Sequence, residues 1–390
     1  MSTYAIHAHA YDWLNDWRTR FKTDAGYEFG SKGNFQADIN DYSGDTTNPA
    51  GGAKILEDQT TWRRKELYAY AKAPFGVDAT AGYDLQSKLW VDNFFHFGNN
   101  KIGDFRLGQF KTLVGWEEGV ISSTATTFLE RALPVQAVNM GRRLGVDWTY
   151  QGLPHWLVTL GYQSGGDLNG DNDGHGPSAH VVFNPLEEKN EVVHLGVALS
   201  RENRGTTTDG RGIATLPTAR FRARPEANLT STRLVDSGNL KNAGDIDRFG
   251  LEGAWIHGPL LAQGEYLRFR ADFSDVKPTY TGGGYYLLAA WMLTGESRDY
   301  KAGAVGNVTP AHRYGAIEIA ARYSEVDLND GTVLGGMQHD WTLGANWYLG
   351  SHLKFQVNYV HAYSNKYNAA LKRSIEIDPR IFELRTQVYF

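Results

Sequence analysis

The sequence predicts an all-β fold: one transmembrane antiparallel β-barrel of 16 strands. Apolar and polar residues alternate along many segments of strand length, and this period of two indicates strands with two different faces. Short turns alternate with long polar loops along most of the 390 residues, which is typical of barrels. The longest apolar run, residues 285–293, is far shorter than the ~20 residues of a membrane helix, whereas a barrel strand needs only ~10.

The predicted strands follow one another from Gly33 onwards. Two long connections, residues 112–140 and 204–245, interrupt the series. Short turns at residues 74–76, 257–259 and 350–351 are expected at the periplasmic rim. After the first strand, the predicted strands cover residues 62–73, 77–85, 88–97, 104–111, 141–151, 156–165, 178–185, 191–203, 246–257, 260–273, 283–294, 314–327, 338–349, 352–367 and 382–390.

The last strand shows the alternation most clearly. Phe382 and Leu384 share one face, while Glu383 and Arg385 share the other. A soluble β-propeller or sandwich is the alternative fold, but it would have to bury that charged face, which is costly without partners. A wide barrel has a water-filled lumen and can accept such a face, so the pattern favours the barrel.

The bulk composition fits a protein of the cell envelope. There is no Cys, which suits an oxidising compartment, and the net charge of −5 argues against a dedicated nucleic-acid binder. No signal peptide is visible at Met1, so we expect the mature form of an exported protein. We divide the chain into an N-terminal segment on the periplasmic side, residues 1–32, and a single barrel, residues 33–390.

Residues 285–293 are apolar on both faces of their predicted strand. A strand between lipid and water should be apolar on one face only. We therefore expect the second face to be buried, either against a neighbouring subunit or against a loop that folds into the barrel. The first alternative favours a homotrimer.

Residues 218–225, which we call the arginine segment, carry three arginines at alternate positions. Arg220, Arg222 and Arg224 alternate with Ala, Phe and Ala, and prolines stand at both ends of the run. In an extended backbone the three guanidinium groups point the same way, roughly 6–7 Å apart, so that only an anion or water can face them. The alternatives are an exposed basic surface loop and a row of anion-attracting groups in a pore.

A set of motifs spread from residue 33 to residue 390 resembles the phosphate-selective porin O and P family. Each motif is short, and their combination carries the resemblance. The motifs are Leu107-Gly108-Gln109-Phe110-Lys111-Thr112, Glu117-Glu118, Ser122-Ser123, Glu130-Arg131, residues 192–196, 253–255, 263–268, 293–298 and 343–348.

This resemblance implies a trimeric 16-stranded porin that passes anions, with residues 112–140 folded into the lumen. The family's arginine ladder matches Arg220, Arg222 and Arg224. Its other pore positions match Arg63, Arg64, Arg131 and the acid Asp92, and we add Lys111 from the 107–112 motif to the expected anion pathway.

Adjacent Arg63 and Arg64 cannot both face one side of a regular strand. Arg64 shares its face with Glu66 and Tyr68, the polar side, which favours Arg64 as the lumen residue. A β-bulge would bring Arg63 to the same side.

Two positions depart from the phosphate-binding members of the family. This chain has Thr124 where they carry a Lys, and Asn34 where they carry an Arg. Both changes remove positive charge from the expected constriction.

These observations predict an outer-membrane porin of a Gram-negative bacterium that passes small anions, phosphate or related oxyanions, by passive diffusion. The alternative is a general or sugar/organic-acid diffusion porin with weak anion preference. An enzyme is a third class, but the chain contains no G-x-S-x-G, H-E-x-x-H or P-loop motif. The expected partners are small anions, outer-membrane lipid and two further copies of the chain, with no nucleic acid and no cofactor.

Two sets of residues have the composition of metal ligands. Asp167, Asn169, Asp171 and Asp173 are spaced like the start of a calcium loop, but no Glu stands at the twelfth position, and a solvated Asn/Asp/Gly loop is the simpler interpretation. His7 and His9 are the other set, for which a solvated terminus is the simpler interpretation.

Overall fold

The computed structural model describes residues 14–49, 51–99, 101–170, 174–208, 210–275 and 278–390. Sixteen long strands form its framework. They are β1 Glu28–Gly44, β2 Gln59–Ala73, β3 Val77–Asp84, β4 Leu89–Asn99, β5 Gly103–Lys111, β6 Arg142–Leu153, β7 Trp156–Gln163, β8 Gly176–Glu188, β9 Glu191–Asn203, β10 Ala243–His257, β11 Leu260–Phe273, β12 Tyr280–Met292, β13 Ala316–Asp330, β14 Val333–Leu349, β15 Leu353–Asn368 and β16 Pro379–Tyr389.

Each strand pairs in antiparallel fashion with its neighbours in sequence, and the last strand closes the barrel on the first. The closing pairs run from Asn34 opposite Tyr389 to Gly44 opposite Pro379. The predicted 16-stranded antiparallel barrel is confirmed. The first strand begins at Glu28, earlier than the predicted start at Gly33.

The two faces of the strands differ as the alternation predicts. On β1 the polar side chains of Asn34, Gln36 and Asp38 are buried, whereas Ile39 is 45% exposed. On β16 Glu383 is buried and Phe382 is 46% exposed. The polar face therefore points inwards, and it can do so because its groups find hydrogen-bond partners across the barrel.

The shorter elements lie in the connections between barrel strands and before β1. Two helices, Trp116–Gly119 and Leu133–Val138, lie between β5 and β6. None of the helices within the described ranges is long and apolar enough to span a membrane. The short strands are Arg20–Lys22, Thr207–Thr208, Ala214–Thr215, Thr218–Ala219, Arg222–Ala223, Val235–Asp236, Leu240–Lys241, Arg298–Lys301, Ala304–Val308 and Arg373–Ile377.

The connection between β5 and β6 is held by inward side chains of distant strands. Its backbone carbonyls accept hydrogen bonds from long cationic donors, which satisfies groups that regular secondary structure would otherwise pair. Lys354 donates to the Thr126 carbonyl at 2.6 Å, and Arg322 donates to that of Glu130 at 3.0 Å.

The apolar strand β12 buries its inner face. Tyr286 and Leu288 pack in one hydrophobic cluster with Trp116 and Leu133 of the connection between β5 and β6. Leu287, on the outer face, is 64% exposed. A loop thus covers the second apolar face, which is one of the two explanations that the sequence left open.

Candidate functional site

The arginine segment is extended, and its two faces are distinct. Ala219, Phe221 and Ala223 are buried, while Arg220 and Arg222 are exposed. The Phe221 ring stacks on Phe269 of β11 with ring centroids 3.6 Å apart. The apolar face therefore fixes the segment to the barrel wall and leaves the arginines on the open side.

A cavity of 450 Å³, which we call the arginine cavity, lies between this segment and the connection between β5 and β6. Seven arginines and two glutamates line it, together with neutral residues. The charged lining residues are Arg63, Arg64, Arg131, Arg220, Arg222, Arg224, Arg233, Glu118 and Glu130. Six of the eight residues expected from the sequence to form the anion pathway thus meet at one cavity.

Arg63 and Arg64 both reach this cavity because β2 contains a bulge. Gln36 is opposite Arg64 and Ala37 is opposite Trp62, so Arg63 is the extra residue between them. A bulge disrupts the strict alternation and lets neighbouring side chains share a side. The side chains of Arg63 and Arg64 are 19% and 17% exposed, respectively.

Four of the seven arginines have carboxylate partners. The nitrogen–oxygen distances in three of these ion pairs are 2.8 Å for Arg63–Glu130, 2.7 Å for Arg64–Glu66 and 2.8 Å for Arg131–Glu118. Arg220, the fourth, donates from Nε to Asp236 Oδ1 at 2.8 Å. The sequence did not predict this last pair, because Asp236 lies 16 residues further along the chain.

The other three arginines of the cavity have no carboxylate within ion-pair distance in the described ranges. Arg224 donates from Nε to the Thr230 carbonyl at 2.7 Å, and Arg233 donates to that of Ser231 at 3.1 Å. Burial, together with Arg224 and Arg222, lowers the pKa of Arg233 to about 10. Like charges are thus held close together without a direct ion pair, which favours an anion between them.

The glutamates of the cavity stay ionised. Burial opposes ionisation of Glu118, but Lys111, Arg131 and Arg64 outweigh it and hold the pKa of Glu118 well below its usual value. Glu130 is likewise kept below its usual pKa against the effect of burial, mainly by Arg63 and Arg385. These carboxylates fix the arginines in place rather than accept protons.

Lys111 and Asp92 are the two expected pathway residues that do not line the arginine cavity. Lys111 Nζ lies 2.8 Å from Glu118 Oε1 and so forms an ion pair with a glutamate that lines the arginine cavity. Asp92 pairs with Arg142 at 2.9 Å and lines a second cavity of 380 Å³.

This second cavity contains both positions that depart from the phosphate-binding pattern, Asn34 and Thr124. Asn34 donates to Glu66 at 3.1 Å and to Ser123 at 2.9 Å. The charged residues that line this second cavity are Lys32, Glu66 and Asp92. The Arg64–Glu66 ion pair joins the two cavities, since Arg64 lines the first and Glu66 the second. The second cavity therefore lacks the positive excess of the first.

The calcium candidate is only partly visible, because Asp171 and Asp173 lie outside the described residues, as do His7 and His9. Asp167 Oδ1 accepts the backbone N–H of Asn169 at 2.8 Å, and Asn169 Oδ1 accepts that of Trp90 at 2.8 Å. The first bond is a local turn contact, and the second ties the loop to strand β4. Over the described part of the chain, no three His, Asp or Glu side chains are grouped closely enough to hold a metal ion.

Two residues that the sequence analysis missed hold the loops together. Arg322 of β13 is fully buried, and its Nη2 donates to Glu226 Oε2 at 2.6 Å. Glu226 follows the arginine segment directly and adopts a left-handed backbone with φ 45°. The pair spans 96 residues of sequence, so no local pattern could reveal it.

Comparisons with known proteins agree with this architecture. The chain is 28% identical over 306 residues to an uncharacterised protein of Caulobacter vibrioides, covering 73% of this chain and 59% of that protein. It is 32% identical over 213 residues to Porin O of Pseudomonas aeruginosa, covering 47% of each. The chain thus spans about half the length of the curated relatives it matches.

Two solved structures with the same fold are also similar to this chain. OmpT, an outer membrane protein of Vibrio cholerae, matches with a TM-score of 0.59 and 12% identity, over 95% of this chain and 99% of that one. An anion-selective porin from Comamonas acidovorans matches with a TM-score of 0.53 and 12% identity, over 93% and 100%. The family model described as "Phosphate-selective porin O and P" matches residues 29–390, and the chain therefore belongs to that family.

Proposed function

We propose that small anions, phosphate or related oxyanions, pass through this barrel by passive diffusion along the arginine cavity. The observation that carries the proposal is the presence of Arg222, Arg224 and Arg233 in one cavity without carboxylate partners among the described residues. Membership in the family makes the chain an outer-membrane porin, which is a channel and not an enzyme. The anion-selective porin with the same fold adds support.

The mechanism follows from the chemistry of guanidinium. An oxyanion that enters a narrow pore loses part of its hydration shell, and planar N–H forks replace that water with charge-assisted hydrogen bonds. Several weak sites serve transport better than one strong site, because ions must also leave. Low-dielectric walls focus the field of the arginines and raise the local concentration of anions.

Tight selection of phosphate is not part of this proposal. The second cavity has Asn34 and Thr124 where phosphate-binding members carry cations, and two carboxylates, Glu66 and Asp92, line it. A general or sugar/organic-acid diffusion porin with weak anion preference is the second candidate, favoured by this same cavity. An aromatic track along the pore would distinguish a sugar porin.

The deciding experiment is the reversal potential of the purified protein in a planar bilayer with a salt gradient. We expect a potential whose sign indicates preferential passage of chloride over potassium, and a decrease in chloride current when phosphate is added. A reversal potential near zero, or one of cation-selective sign, would reject the anion pathway.

Restoring charge at the second cavity should strengthen the interaction with phosphate. Thr124→Lys combined with Asn34→Arg places two cations beside Ser122 and Ser123. We expect the phosphate concentration that halves the chloride current to fall severalfold, because charge-assisted hydrogen bonds are stronger than neutral ones. Thr124→Gln with Asn34→Gln is the neutral control. An equal change in both double variants would show that size, not charge, is responsible.

We also propose that the chain forms a homotrimer. A related fold, OmpT of Vibrio cholerae, has a solved trimer form. The outer face carries many exposed large apolar side chains, among them Leu67, Phe95 and Leu107, which suit contact with either lipid or a neighbouring barrel. Native mass spectrometry in mild detergent should give three times the mass of the chain. A monomer in every detergent tested would contradict this.

A further inference from the structure

A groove of 660 Å³ runs along the outer wall of strands β7 to β11. It is separate from the two cavities described above, because its outward side chains lie on the exposed face of the sheet. Leu160 and Leu199, for example, are each 49% exposed. Nothing in the anion pathway uses it.

Most of the groove is apolar. Leu160, Ala179, Leu199 and Phe249 follow one another in one cross-strand row, each opposite the next on neighbouring strands. The small Ala179 stands between two leucines, so the wall is recessed there. With strands ~4.8 Å apart, the row extends over about 14 Å, a length that suits a hydrocarbon chain.

The same row ends on a cation. Arg268 of β11 lies opposite Phe249 on one side and opposite Gly283, which has no side chain, on the other. The Arg268 side chain is exposed, and no carboxylate of the described residues lies within ion-pair distance of it. An arginine on the outer wall directly beyond an apolar row is a donor group without an internal acceptor.

Two more arginines stand at the same rim of the groove. Arg201 and Arg270 flank Asp247, the one carboxylate among the lining residues in the described ranges. Their ion pairs, Arg201 with Asp245 at 2.9 Å and Arg270 with Asp272 at 3.2 Å, join side chains that are about half exposed or more at the arginine end. Exposed pairs of this kind contribute little and exchange readily for a better anion. The rim thus holds three arginines and three aspartates, and Arg268 is the arginine that is left without a carboxylate partner among the described residues.

We propose that this groove binds a membrane lipid whose headgroup carries phosphate. Its acyl chain lies over Leu160, Ala179 and Leu199, and its phosphate contacts Arg268 and Arg270. The apolar recess complements the acyl chain of such a lipid, and the guanidinium groups at the rim complement its phosphate. Guanidinium binds phosphate in bidentate fashion, and the alkyl stem of arginine packs on apolar surface. The proposal concerns the outer wall and does not rest on the anion pathway.

Native mass spectrometry of the intact protein with added lipid tests this proposal. We expect the wild-type protein to retain phosphatidic acid, which carries a phosphomonoester, in preference to phosphatidylcholine. Arg268→Gln with Arg270→Gln should lower retention of phosphatidic acid by about fivefold per arginine, the contribution expected of a cation at a membrane surface. Ala179→Trp, which fills the recess, should lower retention of both lipids.

The control is Arg373→Gln with Arg380→Gln, which removes two exposed arginines from other strands. It should retain phosphatidic acid like the wild-type protein. The proposal is overturned if the control loses as much lipid as the Arg268/Arg270 variant, or if that variant retains it fully. Displacement of the lipid by inorganic phosphate alone would also overturn it, because the acyl chain would then contribute nothing. Ion selectivity in bilayers should be the same in the wild type and the Ala179→Trp variant.

Discussion

Replacing Arg222, Arg224 and Arg233 together by alanine should remove most of the channel's preference for anions over cations. The other four arginines of the arginine cavity are each paired with a carboxylate, so these three supply the charge that has no direct ion-pair partner. Charge in a confined aqueous path with low-dielectric walls raises the local concentration of counter-ions by at least roughly tenfold. We expect the anion-to-cation permeability ratio, measured from reversal potentials, to fall by a similar factor.

The ionic strength dependence distinguishes this effect from a change in pore width. The screening length is ~10 Å at 0.1 M salt and ~3 Å at 1 M, so the loss of selectivity should be large at low salt and small at high salt. Replacement of the same three residues by lysine should preserve selectivity but weaken block by phosphate. The charge remains in that variant, whereas the planar fork that matches an oxyanion is lost.

The matched control removes three arginines from the outer wall instead. Arg201, Arg268 and Arg270, all changed to alanine, alter the formal charge of the protein by the same amount, but outside the barrel. This variant should keep the wild-type reversal potential. If the cavity variant also keeps it at low salt, Arg222, Arg224 and Arg233 do not act on the ions.

The framework of the protein follows directly from local pattern. Side chains alternate between the two faces of every strand. In a barrel with a water-filled lumen the polar face points inwards and the apolar face outwards, so an exposed Phe382 beside a buried Glu383 could be expected from sequence alone. The same reasoning orients the arginine segment, whose Ala and Phe residues are buried and whose Arg220 and Arg222 are exposed. Short-range periodicity is sufficient for both.

What the sequence could not reveal depends on contacts between distant residues. The bulge that admits Arg63 is set by the register between β1 and β2, which no single strand encodes. Arg233 lies in an irregular loop, where the strand rule that alternate side chains point to opposite faces does not predict the direction of its side chain. Asp236 neutralises Arg220 only because the loop folds back on itself. Counting charges along the chain therefore overestimates the contribution of Arg220 to the positive charge of the cavity and misses the contribution of Arg233.

Glu226→Ala should release the arginine segment and remove most of the anion selectivity without removing any arginine. The Glu226 carboxylate is fully buried and accepts hydrogen bonds from Arg322, Ser324 and Thr342. Without it, Arg322 keeps one carboxylate, that of Glu117 at 3.4 Å. Removal of the sole partner of a buried charge typically costs ~3–5 kcal/mol, and the remaining contact with Glu117 should make the cost smaller here.

The barrel itself should survive this loss, since its strands are paired throughout and closed on one another. We therefore expect local release: faster proteolysis between residues 204 and 242, noisier single-channel currents, and a reversal potential close to that of the arginine-to-alanine variant. Glu226→Gln keeps the shape and one acceptor oxygen but loses the charge, so its effects should be intermediate.

Glu188→Ala serves as the matched control, because this glutamate is exposed at the end of β8. It should change neither proteolysis nor selectivity. A double-mutant cycle with Arg322→Ala then measures the pair directly, and a strong interaction should make the second substitution cost much less than the first. If Glu226→Ala leaves the loop resistant to protease and the reversal potential unchanged, the segment is held by Phe221 and its other apolar contacts, and the buried ion pair does not position the arginines.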